Sequence, residues 1–209
     1  MTEKAKIAVL VSGGGTNLQA LLDAEQTGVL CSGEIVLVVS NNAKAFALER
    51  AARAGVETAV LKGPTFEADL KLLLQQRGID LIILAGFMRI LSEAFTSAWP
   101  NRILNVHPSL IPAFCGKGYY GLHVHEKVLQ RGAKVTGATV HFVDEDLDHG
   151  PILLQKAVEV REGDTPEVLQ RRVMEEAEWI LLPEAISLIA QGRVTIDGNG
   201  LTHIADTDQ

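Results

Sequence analysis

The chain has 209 residues, a length that suits one large domain or two closely fused halves, and 47% of them are hydrophobic, enough for a buried core. A formal net charge of −7 argues against a nucleic-acid binder, which needs clustered basic charge to displace counterions from phosphates. No apolar run approaches the roughly 18 residues of a membrane span, so neither nucleic acid nor membrane is an expected partner.

Met1-Thr2-Glu3-Lys4-Ala5-Lys6 lacks a signal-peptide profile. Cys31 and Cys115 are too few and too far apart for a disulfide framework and read as reduced thiols. Both features predict a cytoplasmic protein. Ile7 to Val11 is a continuous apolar run closed by Ser12-Gly13-Gly14-Gly15, the pattern of a strand buried on both faces. Leu18, Leu21 and Leu22 set a helical period from Thr16 to Gln26, stopped at Gly28. A second strand spans Ile35 to Val39. Asn42 is a suitable N-cap for a helix from Ala43 to Ala54, ended by Gly55. Thr58 to Leu61 predicts a strand, Phe66 to Gln76 a helix, Asp80 to Ala85 a buried strand, and Ser92 caps a short helix to Trp99. Ile103 to Val106 is a further strand, followed by a long loop over 107–121 and a helix from Leu122 to Gln130.

Val135 to Val143 and Ile152 to Val160 read as longer strands joined by an acidic turn. Gly163-Asp164-Thr165-Pro166 starts a helix, with proline in its first turn. One long apolar face, from Leu169 through Ile189, then runs to Gly192. Val194 to Ile196 and Leu201 to Ile204 form a terminal hairpin, and Ala205 to Gln209 are expected to fray. Strands alternating with helices indicate βαβ units. The expected fold is therefore α/β and Rossmann-like: one domain with a mostly parallel twisted sheet and helices on both faces. Residues 1–100 would form a mononucleotide-binding half and 101–209 a catalytic half.

Two stretches carry chemistry. Ser12-Gly13-Gly14-Gly15-Thr16-Asn17 joins the first strand to the first helix. Glycines let a backbone approach a ligand closely, and free N–H groups at a helix start suit a phosphate. The turn lacks the third glycine of the dinucleotide fingerprint and the Walker lysine. Asn105-Val106-His107-Pro108 ends a strand, and side chains at i and i+2 share a face. An amide that can polarise a carbonyl oxygen thus sits beside an imidazole that can move protons. The acidic turn Asp144-Glu145-Asp146-Leu147-Asp148-His149 offers Asp148 to orient His107 and favour its protonated form. His123, His125, His141 and His149 are further candidates, but no pattern completes a metal site, and no metal is expected.

With these residues in place the sequence resembles the folate-dependent glycinamide ribonucleotide formyltransferases. The likeness runs from about Ile7 to Gly192. It is carried by Ser12-Gly13-Gly14-Gly15-Thr16-Asn17-Leu18-Gln19, Ala85-Gly86-Phe87-Met88-Arg89-Ile90-Leu91, Asn105-Val106-His107-Pro108-Ser109-Leu110, and Val140-His141-Phe142-Val143-Asp144 through Leu147-Asp148. The resemblance implies transfer of the formyl group of 10-formyltetrahydrofolate to the amine of glycinamide ribonucleotide, in purine synthesis. It makes His107 the acid/base, Asn105 the donor to the formyl oxygen, and Asp148 the group that holds His107 and its attendant water. Gly15, Thr16 and Asn17 map onto a phosphate loop, and Glu178 onto a position that binds the glycinamide substrate. Met88, Arg89, Ile90 and Leu91, with Asn105 and with Asp144, Glu145, Asp146, Leu147 and Asp148, map onto the folate site. Met88, Ile90 and Leu91 would wall the pterin.

The sequence departs from many relatives in three places. It has Ala113-Phe114-Cys115-Gly116-Lys117-Gly118-Tyr119-Tyr120 before Gly121-Leu122-His123, where many have a shorter Pro-Gly-Leu-His connection. The region Lys62 to Asp69 is short, leaving Lys62 the nearest counterpart of a basic residue. Trp179 stands where a histidine is common. Methionyl-tRNA formyltransferase and formyltetrahydrofolate deformylase share the Asn-x-His-Pro core, but each carries an additional domain expected to be absent here. A non-catalytic folate or nucleotide binder would have no need of the polar trio. Only small-molecule partners are expected, in a monomer or homodimer.

Overall fold

A computed structural model describes residues 4–206. Residues 1–3 of the stretch read against a leader, and 207–209 of the expected frayed end, lie outside it. Nine strands and seven helices are formed among the described residues.

The first strand, β1 (Ala5–Val11), explains the architecture. Ile7, Val9 and Val11 pack into one apolar cluster and Ala8 and Leu10 into another, all fully buried. A strand without a polar face needs cover on both sides, which helices supply. On one side lie α1 (Thr16–Gln26), α2 (Phe46–Arg53), α5 (Leu122–Arg131), α6 (Pro166–Val173) and α7 (Trp179–Ala190). On the other lie α3 (Phe66–Arg77), through Phe66, Leu70 and Leu74, and the short α4 (Glu93–Thr96), through Phe95.

Seven strands form the sheet, in the order β3-β2-β1-β4-β5-β6-β7. β2 (Gly33–Ser40), β3 (Glu57–Val60), β4 (Leu81–Leu84) and β5 (Ile103–His107) pair in parallel with their neighbours up to β5. β6 (Val135–Phe142) runs antiparallel to β5, and β7 (Ile152–Glu159) antiparallel to β6. The sheet is thus mostly parallel, as the sequence predicts. The chain winds outward from β1 to β3, then returns to β4 on β1's other side. That reversal opens a crevice at the carboxyl ends of β1 and β4, where such sheets take their ligands.

Three local expectations change. Asn42 does not cap α2, which begins at Phe46 after Ala45. The Asn42 side chain instead accepts from the Lys44 N–H at 3.0 Å, closing a turn of its own. The helical run after Pro166 is not continuous: residues 174–178 form a π-helical turn between α6 and α7. At the C-terminus Ala205 is not frayed, because its N–H donates to the Arg193 carbonyl at 2.8 Å. It follows β8 (Val194–Ile196) and β9 (Thr202–Ile204), which form the expected hairpin. Among the described residues no helix is long and apolar enough to cross a membrane.

Gly15 occupies the N-cap of α1 with φ at +72°. A Cβ there would lie 2.5 Å from the Ala47 Cβ. Handedness and space therefore both require glycine. We predict that Gly15→Ala destabilises the fold by about 1–3 kcal/mol and lowers the thermal midpoint by several degrees. An unchanged midpoint in thermal denaturation would mean that α2 yields to the extra methyl.

Candidate active site

β5 brings Asn105 and His107 to the sheet's carboxyl end on one face, as the i, i+2 spacing predicts. Because β6 runs antiparallel, it sets His141 directly opposite Asn105. The His141 Nε2 lies 3.2 Å from Asn105 Nδ2, and its Nδ1 lies 2.8 Å from the Phe142 carbonyl. Asp148 arrives from the β6–β7 turn with φ at +57°, a sparsely populated region for a residue with a Cβ. Its Oδ2 is 3.5 Å from His107 Nδ1 and its Oδ1 is 3.7 Å from His141 Nε2. The Gly116 N–H donates to Asp148 Oδ2 at 2.9 Å. The Phe114 carbonyl meets His107 Nε2 at 2.9 Å. The segment that departs from the family's shorter connection is thus built into the cluster through its backbone.

Burial dominates the electrostatics. It pulls the His107 imidazole below its ordinary pKa, although Asp148 and the Phe114 carbonyl pull upward. Asp148 does favour the protonated ring, as the sequence predicts, but its pull is outweighed. Desolvation of the cation wins, and the ring is the weaker base for it. Burial pushes Asp148 the other way, but the nearby His141 and His107 rings and the Gly116 N–H together hold it below the usual carboxylate range. Burial also raises the Cys115 thiol, with Asp148 adding to the effect, so this cysteine is not activated.

The other histidines separate. His123 is exposed and pairs with Glu126 at 2.9 Å. His125 is fully buried with neither ring nitrogen bonded, and desolvation lowers it to about 4. The two do not converge on a common point that a metal could fill.

A cavity of about 530 Å³ opens over the trio. Met88 to Leu91 line one wall, Asp144 to Asp148 another, and the loop residues Tyr119 and Tyr120 a third. Met88, Ile90 and Leu147 are 55%, 69% and 46% exposed, so they are not core residues and leave apolar surface facing the cleft. Leu91 differs, being buried beside Phe95. Arg89 lays its guanidinium 4.5 Å over the Phe66 ring.

Gly15, Thr16, Asn17 and Glu178 gather outside that lining, at the start of α1. Asn17 Nδ2 donates to Glu178 Oε2 at 2.7 Å, while the buried Asn17 Oδ1 has no partner among the described residues. One of the two Asn17 Nδ2 hydrogens is thus taken up by Glu178, and the Thr16 hydroxyl faces Met174 Sδ at 3.5 Å. No side chain caps α1, so its first-turn N–H groups stay open to an anion. Arg50 adds a charge that sequence reasoning missed: its Nε donates to the Gly14 carbonyl at 2.8 Å. The signal lay in Arg50's place on the helix that follows the neighbouring strand. His141 was only one of several histidine candidates, and the backbone groups of Phe114 and Gly116 had no sequence signal.

This is a Rossmann-like α/β fold with a buried polar cluster at the carboxyl ends of its strands. The chain belongs to the formyl transferase family, which matches residues 5–186. It is 42% identical over 199 residues to phosphoribosylglycinamide formyltransferase of Escherichia coli, covering 92% of this chain and 91% of that protein. It is 44% identical over 204 residues to the human trifunctional purine biosynthetic protein adenosine-3, covering 95% of this chain and 20% of that one. The chain thus spans about a fifth of the length of that relative. Among solved structures, glycinamide ribonucleotide transformylase 1 from Symbiobacterium toebii superposes with a TM-score of 0.90 at 46% identity, over 99% of this chain and 96% of that one.

Burial raises the Glu178 carboxyl from 4.5 to about 7, with the Asn17 hydrogen bond opposing. The folded chain therefore holds a proton that the unfolded chain releases at lower pH. Stability is full below the unfolded value and falls as pH rises toward the folded one, by on the order of 3 kcal/mol at most. Glu178→Gln keeps an acceptor for Asn17 but removes the charge. Thermal midpoints should show the variant above the parent at about pH 8 and level with it at about pH 5. A gap independent of pH would mean that Glu178 does not titrate across this range.

Proposed function

We propose that this chain transfers the formyl group of 10-formyltetrahydrofolate to the amine of glycinamide ribonucleotide. The products are tetrahydrofolate and formylglycinamide ribonucleotide, in purine synthesis. The observation that carries the reading is the meeting of Asn105, His107 and Asp148 at the floor of a cleft with an exposed apolar wall. Family membership and the named activities of the full-length relatives support it.

The chemistry follows from what the groups can do. The amine lone pair attacks the formyl carbon, and the carbonyl electrons move onto oxygen. Asn105 donates Nδ2–H to that oxyanion inside a site shielded from water, where one donor matters most. The attacking nitrogen must lose a proton and the folate N10 must gain one as its bond to the formyl carbon breaks. His107, kept neutral by burial, accepts the first and returns it to N10, its Nε2 exchanging the Phe114 carbonyl for the substrate nitrogen. Asp148 stays ionised and steadies the imidazolium while it exists.

Met88, Ile90 and Leu147 receive the flat folate ring, with Arg89, Leu91, Asp144, Glu145 and Asp146 completing that wall. Gly15 and Thr16, helped by Arg50, receive the phosphate, and Asn17 and Glu178 the glycinamide end. We read the chain as one domain, with the phosphate turn in 1–100 and the proton-transfer groups in 101–209. We further read it as a cytoplasmic monomer or homodimer that acts on small molecules and needs no metal.

The test is a spectrophotometric assay with a 10-formyl folate donor and glycinamide ribonucleotide. Turnover should need both substrates and fall by about 10²–10⁴-fold in His107→Ala. Asp148→Asn should fold normally yet lose about a hundredfold or more in kcat. The acid limb of the parent's rate profile should lie below the ordinary histidine range, since activity needs the neutral ring. Donor loss without the amine would replace transfer by hydrolysis. Tight binding of both ligands without turnover would make the chain a binder.

A further inference from the structure

We propose that His141 is a positioning residue: it fixes which end of the Asn105 amide faces the reacting carbonyl, and its own tautomer is fixed by the Phe142 carbonyl. This rests on the formyl-transfer reading above.

An amide side chain presents a donor or an acceptor depending on a half-turn about its last bond. Only the donor end stabilises an oxyanion; the Oδ1 end repels it. Asn105 therefore needs a neighbour that distinguishes its two ends. A carbonyl oxygen can only accept, so the Phe142 carbonyl, 2.8 Å from His141 Nδ1, places the ring proton on Nδ1. In the neutral ring Nε2 then carries a lone pair. That lone pair lies 3.2 Å from Asn105 Nδ2 and accepts one of its two hydrogens. The amide nitrogen is held on the cleft side, and its second hydrogen remains for the substrate oxygen.

His141 is only 2% exposed, so water does not substitute for either partner. The ring does not need to reach the substrate; it acts through Asn105. Asp148 Oδ1, at 3.7 Å from Nε2, is the other group that faces this nitrogen. It lies beyond hydrogen-bonding distance, which leaves Asn105 the closer partner.

Two measurements test this, one independent of activity. Long-range proton–nitrogen NMR of the folded chain should show His141 protonated at Nδ1 and bare at Nε2. The opposite tautomer overturns the proposal, whatever the enzyme does. In the formyl-transfer assay, His141→Leu should lower kcat by about a hundredfold, as loss of one oxyanion donor does, with both KM values within about threefold. His141→Gln, whose Oε1 reaches the place of Nε2, should recover most of the loss. In an Asn105→Ala background, His141→Leu should cost nothing more. The same further loss in that background would mean that His141 acts on its own, and unchanged kcat in His141→Leu would mean that it does not act; either sinks the proposal. If His141→Leu does not fold by circular dichroism, the Gln variant in both backgrounds carries the same comparison. A parent chain without turnover would overturn the formyl-transfer reading itself, and the tautomer would still be read by NMR.

Discussion

Asp148 carries a charge in a place where water hardly reaches, its side chain 7% exposed. A buried carboxylate stays ionised only if partners replace its hydration. Here the Gly116 N–H, in the loop before α5, donates directly to it, and the rings of His107 at the end of β5 and His141 at the end of β6 lie 3.5 and 3.7 Å away. Loss of any one leaves the others around an under-solvated charge. The cluster therefore ties the carboxyl end of the sheet together, and the left-handed backbone at Asp148 is a strain that these contacts offset. The same burial makes His107 a poorer base than a surface histidine.

Glu178 shows the opposite outcome of the same physics. Among the described residues it has one hydrogen-bond partner, Asn17, and no cation close by, and burial raises its pKa. The two carboxylates are thus pushed apart in acidity by depth of burial and by their partners, Asp148 held below and Glu178 raised to about 7. π-Helical turns are uncommon in helices and often coincide with functional positions, and the one over 174–178 ends on Glu178.

Much of this was legible in the sequence, for identifiable reasons. The runs Ile7 to Val11 and Leu81 to Leu84 are apolar at every position, which only a strand covered on both faces tolerates. Asn105 and His107 share a face because strand geometry repeats every two residues. What escaped depended on pairing across the chain. His141 sits in an ordinary strand sequence, and its importance exists only once the antiparallel register sets it against Asn105. The Phe114 carbonyl and Gly116 N–H belong to the backbone, which every residue possesses, so no side chain announces them. Asn42 failed as a helix cap because the same side chain can close its own turn, a choice that local sequence does not decide. The break in the last long helix hides behind an unbroken apolar face.

The two clusters are joined by one hydroxyl. Ser12, the first residue of the glycine turn, accepts from the Met88 N–H at 2.9 Å and donates to Asn41 Oδ1 at 2.7 Å, while its own N–H reaches the Gly86 carbonyl at 3.2 Å. The glycine turn and the segment that walls the cleft therefore share one set of hydrogen bonds. Neither can shift by a fraction of an ångström without straining the other. A reaction that joins two different small molecules needs their reacting atoms held at one separation. The glycine turn and the cleft wall meet at the switch point of the sheet with a serine between them, and in the proposed transfer this shared frame would set the separation of the two substrates.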